Sequence, residues 1–85
     1  MKKKNKTPQK TIIDVRRPDE YEKGHANGTI NIPLNEIDGR FDEINKLKTP
    51  LVAVCGGGTR HVKAFELLNS HGINCEKGGS WKDIK

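Results

Sequence analysis

The sequence predicts an α/β fold with a central, mostly parallel sheet covered by helices on both faces. Two observations carry this. Short β-branched or fully apolar runs, Ile12 to Val15 and Leu51 to Val54, alternate along the chain with stretches whose apolar residues recur every three or four positions. Strands and helices in alternation imply parallel strands joined by right-handed crossovers, which lay helices on the sheet faces.

Thr11–Val15 reads as a buried strand because Ile12, Ile13 and Val15 are β-branched. Arg16-Arg17-Pro18 stops it. Pro18 suits a first helical turn, and Asp19 and Glu20 favour the positive end of a helix that runs through Tyr21 and Lys23 to Gly24. His25–Thr29 is then a loop, and Ile30-Asn31-Ile32 a short extended piece closed by Pro33. Leu34, Ile37, Phe41, Ile44 and Leu47 form one face of an amphipathic helix. Gly39 weakens that helix by about 1 kcal/mol relative to Ala, and Thr49-Pro50 ends it. Leu51-Val52-Ala53-Val54 fits a central strand covered on both sides. After the Gly56–Gly58 loop, a helical pattern from Arg60 to His71 aligns Ala64, Leu67 and Leu68, with Gly72 as its left-handed cap. Ile73–Glu76 is expected as a last strand, with Gly78-Gly79 turning the chain toward Trp81.

Composition limits the function classes. Eighty-five residues, 32% hydrophobic and 32% charged, fit one small domain over residues 11–85. The net charge of +5 is a property of the first ten residues, where Lys2, Lys3, Lys4, Lys6 and Lys10 occur without an acid; the rest balances eleven basic against eleven acidic side chains. Residues 1–10 are therefore read as a basic flexible tail. One Trp, one Tyr and two Phe give no stacking platform, so nucleic acid is not an expected partner. No apolar run is long enough for a membrane span, and no hydrophobic segment follows the basic start as in a signal peptide. The expectation is a cytoplasmic monomer that does not engage membranes. Two cysteines and three scattered histidines make neither a disulfide scaffold nor a metal site, and no cofactor is expected.

The informative string is Val54-Cys55-Gly56-Gly57-Gly58-Thr59-Arg60-His61. A cysteine ends a buried strand, a glycine-rich loop follows, and a helix begins. In an open parallel sheet, ligands collect outside the carboxyl ends of the strands. Glycines let the backbone curl into an anion-binding nest, the helix N-terminus adds partial positive charge, and Arg60 adds a full one. All three favour thiolate over thiol, and the thiolate is the nucleophile. They would equally stabilise a persulfide anion. A cysteine acting only as core filler would need neither the loop nor the arginine.

Over residues 11–85 the chain resembles the rhodanese domain, most closely the small single-domain bacterial sulfurtransferases. Ile13-Asp14-Val15-Arg16 looks like the family's first motif, and Tyr21 with Gly24-His25 through Gly28-Thr29-Ile30-Asn31-Ile32-Pro33 like its second. Cys55, Gly58 and Arg60 match the active-site pattern, and Gly78-Gly79 before Trp81 the closing motif. The resemblance implies a three-layer rhodanese-like fold. It also implies transfer of sulfane sulfur from thiosulfate, polysulfide or a protein persulfide, through a Cys55 persulfide, to a thiol or cyanide. Gly56, Gly57, Gly58, Thr59, Arg60, His61 and Arg16 are the candidate substrate-binding residues. The sequence departs from the family at Gly56, where a polar or basic residue is usual, and at His61, where Ser or Thr is usual. Weak thiosulfate binding is expected from the first; the second either restores a hydrogen bond at the site or caps the helix.

Other residues have plainer readings. Asp14 and Arg16 suit an ion pair between adjacent loops, with direct substrate contact by Arg16 as the alternative. His25 reads as loop packing, Trp81 as a cover for one end of the core, and Cys75 as a packed thiol rather than a resolving cysteine. Two rival functions remain. A cysteine phosphatase or arsenate reductase also sets a cysteine in an anion cradle, but such loops place five residues between Cys and Arg where this chain has four, Gly56 to Thr59. The other is a non-catalytic rhodanese-like binding or sulfur-carrier module; a binding module of that kind typically lacks the cysteine that is present here.

Overall fold

The computed structural model describes residues 10–84. The expected basic tail lies outside the described residues except for Lys10, whose Nζ donates to Glu76 at 3.0 Å. The β-branched run forms β1 (Thr11–Asp14). Pro18 opens α1 (Pro18–Lys23), which Gly24 ends by donating its N–H to the Tyr21 carbonyl. There follow β2 (Ile30–Asn31), a 3-10 helix Leu34–Gly39, α2 (Phe41–Ile44), β3 (Leu51–Cys55), α3 (Arg60–Ser70), β4 (Cys75–Ser80) and a closing 3-10 turn Trp81–Asp83.

The four strands make one wholly parallel sheet in the order β2-β1-β3-β4, so the fold is α/β as expected. Strand register sets the core. Ile13 pairs with Ala53, Leu51 with Cys75, and Val15 donates its N–H to Val54 beside Cys55. Side chains alternate along a strand, so Ile13, Val15, Leu51, Ala53, Cys55 and Cys75 share a face. That face packs with Ala64 and Leu68 of α3 and with Ile37 and Ile44, all buried. The opposite face carries buried Asp14 and Val54.

Two elements differ from the sequence expectation. The amphipathic stretch 34–47 is not one helix: Arg40, at φ −127° and ψ 21°, separates the 3-10 helix from α2. Gly39 at the junction lowers helix propensity, and Arg40 bridges both pieces through Glu36 (3.0 Å) and Glu43 (2.7 Å). The apolar spacing survives because Ile37 and Ile44 still reach the core. The last strand begins at Cys75, not Ile73, because Ile73 belongs to the end of α3. Gly72, at φ 78°, takes the left-handed cap, and the Ile73 N–H donates back to the Leu68 carbonyl. Gly78 and Gly79 are not a turn but part of β4. The register jumps there, with Ala53 opposite Lys77 and Val54 opposite Gly79, leaving Gly78 as a bulge.

Candidate active site at the carboxyl edge of the sheet

The strand order places the site. From β1 the chain crosses to β2 on one side, then returns past β1 to β3 on the other. The crevice between the carboxyl ends of β1 and β3 is therefore the topological switch point, where ligands of parallel sheets bind. Val15 and Cys55 stand there side by side. Cys55 is the last residue of β3 and is fully buried. The loop Gly56-Gly57-Gly58-Thr59 then leads into α3, with all four residues exposed. Only Gly57 in this loop has a positive φ, 109°, that calls for glycine. Among the described residues, the N–H groups of Gly57, Gly58, Thr59, Arg60 and His61 engage no protein acceptor, which leaves them free for an anion.

His61 settles one of the open readings. Its Nδ1 lies 3.0 Å from the Cys55 Sγ. Helical side chains lean toward the N-terminus, so a residue in the first turn of α3 reaches back over the strand end it follows. His61 therefore makes a hydrogen bond at the site instead of capping the helix.

Arg60 is not the free charge its position suggests. It makes a two-pronged ion pair with Glu20 of α1, Nη1 to Oε1 at 2.6 Å and Nη2 to Oε2 at 3.2 Å. Glu20 also accepts the Arg17 backbone N–H at 2.9 Å. The Arg60 hydrogen bond, followed by the Arg17 N–H, holds the Glu20 carboxyl at about 2. Reciprocally, the Glu20 hydrogen bond raises the Arg60 value, and the charge of Cys55 adds in the same direction. Glu20 thus holds one donor on each Nη of Arg60. Gly56 leaves it room, since a Cβ there would come 3.3 Å from the Arg60 Nη2 and 3.7 Å from the Arg16 Cδ.

Arg16 is 5% exposed and engaged within the protein. Its Nε and Nη2 grip the fully buried Asp14 at 2.9 Å, and Nη2 also donates to the Gly24 carbonyl at 2.7 Å. The Trp81 ring lies 4.5 Å from its Cζ. Its Nη1 donates to the Glu20 carbonyl at 3.4 Å, and these contacts match the ion-pair reading. Asn31 adds two hydrogen bonds to the Asp14 and Arg16 carbonyls, fastening β2 to the same corner. His25 packs its loop as expected, stacked on Tyr21 with ring centroids 3.6 Å apart.

Cys75 stands apart. It is opposite Leu51, four residues along β3 from Cys55, which at ~3.3 Å per residue is ~13 Å and too far for a disulfide. Burial pushes its thiol up to about 11, so it stays protonated and inert.

A cleft of about 410 Å³ opens beside the site, lined by Val15, Pro33, Leu34 and Asn35 with Arg17 and Arg60. The sequence pattern did not reveal this cleft or the partnership of Glu20 with Arg60. Residues 20 and 60 are joined only by the tertiary fold, and the one local signal was an acid three residues after Arg17. Among the described residues, no helix is long and apolar enough to cross a membrane.

Comparison with known proteins agrees with this fold. The sequence matches the rhodanese-like domain family over residues 1–81. It is 39% identical over 74 residues to the thiosulfate sulfurtransferase PspE of Escherichia coli, covering 85% of this chain and 71% of that protein. It is 36% identical over 62 residues to the putative sulfur carrier protein YrkF of Bacillus subtilis, covering 73% of this chain but 33% of the relative. Among solved structures, a rhodanese with anions from E. coli superposes with a TM-score of 0.78 at 33% identity, over 89% of this chain and 92% of that one.

Proposed function

The chain belongs to the rhodanese-like domain family, and on that footing we propose that it is a sulfurtransferase carrying sulfane sulfur on Cys55 as a persulfide. The observation that carries this reading is the placement of Cys55 at the switch point, directly before a loop and helix start whose N–H groups have no protein acceptor among the described residues. Those groups stabilise negative charge on the thiolate, on an anionic donor and on the persulfide alike.

With thiosulfate, the Cys55 thiolate attacks the outer sulfur. The donor S–S bond breaks, and sulfite leaves with its electron pair. An acceptor thiol or cyanide then attacks the outer sulfur of the persulfide, and Cys55 departs as thiolate. The product is a new persulfide or thiocyanate, and the cycle needs no cofactor. Gly56 to Thr59 supply backbone donors, Arg60 supplies charge once it exchanges Glu20 for the donor, and Arg16 holds the corner through Asp14. Because Arg60 is already neutralised, donors of lower charge, polysulfide or a protein persulfide, suit the site better than dianionic thiosulfate. A compartment that keeps thiols reduced fits this chemistry, and the cytoplasm is the placement proposed.

A second reading, a sulfur carrier loaded once and discharged to a partner, is favoured by the similarity to the putative sulfur carrier protein YrkF. Rates of sulfite release with and without an acceptor thiol separate the two, since only an enzyme turns over. In the same assay Cys55→Ser should abolish release while Cys75→Ser keeps most of it. Equal loss from both would refute the assignment of the sulfur to Cys55.

A further inference from the structure

His61 is the only hydrogen-bonding partner of the Cys55 sulfur among the described residues. We propose that His61 is the proton partner of Cys55, taking the thiol proton as the thiolate forms and passing protons between acceptor and persulfide. The inference rests on the sulfur-carrying role of Cys55 and says how that sulfur is activated.

Three observations converge on it. Cys55 is 0% exposed, which makes a side chain in contact with the sulfur the shortest route for its proton. His61 Nδ1 is at hydrogen-bonding distance, 3.0 Å, and the half-buried ring gives that proton a place to go. The charges around the pair are already matched. Asp14 holds Arg16 where β1 ends, Asp19 holds Arg17, and Glu20 of α1 holds Arg60 of α3. From β4 the register neighbour of Cys55 is the neutral Ser80, and the Asp83 carboxylate lies beside Gly79. Among the described residues no unpaired cation touches the sulfur, and the imidazole is the ionisable side chain in hydrogen-bond contact with it. Imidazole is also the side chain that changes charge between about pH 5 and 8. A serine or threonine hydroxyl at this position could donate a hydrogen bond but could not accept a proton there.

The balance is simple. In loading, the Cys55 thiol gives its proton to Nδ1, and the thiolate takes the sulfane sulfur while the donor's leaving group carries off the bonding pair. The persulfide anion then sits against an imidazolium. In unloading, the thiol proton of the acceptor passes through the imidazole to the outer sulfur. The acceptor sulfur bonds to that outer sulfur, the persulfide S–S bond breaks, and Cys55 is again a thiolate paired with the ring.

The test is the pH profile of Cys55 alkylation by iodoacetamide, read by intact mass in a Cys75→Ser background, so that sulfur donors are not needed. Wild-type His61 should give substantial alkylation near neutral pH. His61→Asn, which can hydrogen-bond but not titrate there, should shift the profile upward by about one pH unit or more, slowing alkylation at pH 7 roughly tenfold. His61→Ser should shift it too. A wild-type profile in either variant would overturn the proposal, because a hydrogen bond alone would then suffice. Circular dichroism confirms that both variants fold, and His61→Asn decides if the smaller side chain does not. If wild type takes up no sulfur from thiosulfate or polysulfide, the sulfurtransferase reading fails, and the alkylation profiles still decide the role of His61.

Discussion

Replacing Glu20 with Gln should improve the use of thiosulfate, although Glu20 touches no sulfur. In the structure Glu20 occupies both prongs of Arg60, at 2.6 and 3.2 Å, with side chains 28% and 34% exposed. A pair this open to solvent is worth about 0.5–1 kcal/mol, and a dianionic donor must displace the carboxylate to reach the guanidinium. Removing the charge should therefore lower the thiosulfate KM by about two- to fivefold and leave kcat nearly unchanged, the mark of added uniform binding. Repulsion between Glu20 and the donor acts in the same direction. The gain should shrink at high ionic strength, where screening operates within ~10 Å, and should be small for polysulfide. Initial rates of thiocyanate formation with both donors, at low and high salt, measure it. The substitution also carries a pH signature. The Glu20 carboxyl is lowered from 4.5 to about 2 in the folded chain, so its stabilising contribution is present above about pH 4.5 and is lost as pH falls through about 2. Wild type should accordingly be the more stable protein at neutral pH, with the gap closing over that acid window. An unchanged thiosulfate KM at low salt would mean that Arg60 does not meet the donor.

Two further substitutions test the loop and the sheet. Gly56→Arg adds a cation beside Arg60 and crowds its Nη2, which would lie 3.3 Å from the new Cβ; the thiosulfate KM should fall while polysulfide kinetics hold, and saturation of wild type at micromolar thiosulfate would refute this. Gly78→Ala would set a Cβ 2.6 Å from Val52 Cγ1, 2.7 Å from Val54 Cγ1 and 3.0 Å from the Ala53 carbonyl oxygen. Overpacking of that kind costs about 1–3 kcal/mol, a fall in Tm on the order of 10 °C for a domain of this size. An unchanged melting temperature would show that the bulge relaxes freely.

What the sequence disclosed follows the range of the forces involved. β1, β3 and α3 were readable because β-branched runs and a three-to-four-residue period act over a few neighbours. Cys55 was readable because a strand, a glycine loop and a helix start are contiguous. The 34–47 stretch misled because a 3-10 helix and a short α-helix can share one apolar face, and only the Arg40 backbone reveals the break. The Gly78 bulge depends on where β4 meets Val52 and Val54, which no local pattern encodes. At the site, the order of strand, loop and helix around Cys55 was legible and the pairing of its side chains was not. Arg60 looked free until the fold brought Glu20 to it, Arg16 looked able to reach a substrate until Asp14, Gly24 and Trp81 enclosed it, and His61 could be placed only once the start of α3 was fixed.

The most direct measurement of sulfur on Cys55 is the mass of the intact protein after incubation with thiosulfate or polysulfide and removal of the free donor. The expected gain is about 32 Da, one sulfur atom held as a persulfide, present in wild type and Cys75→Ser, absent in Cys55→Ser and discharged by a thiol acceptor. No gain with either donor, or a gain that persists in Cys55→Ser, would contradict it.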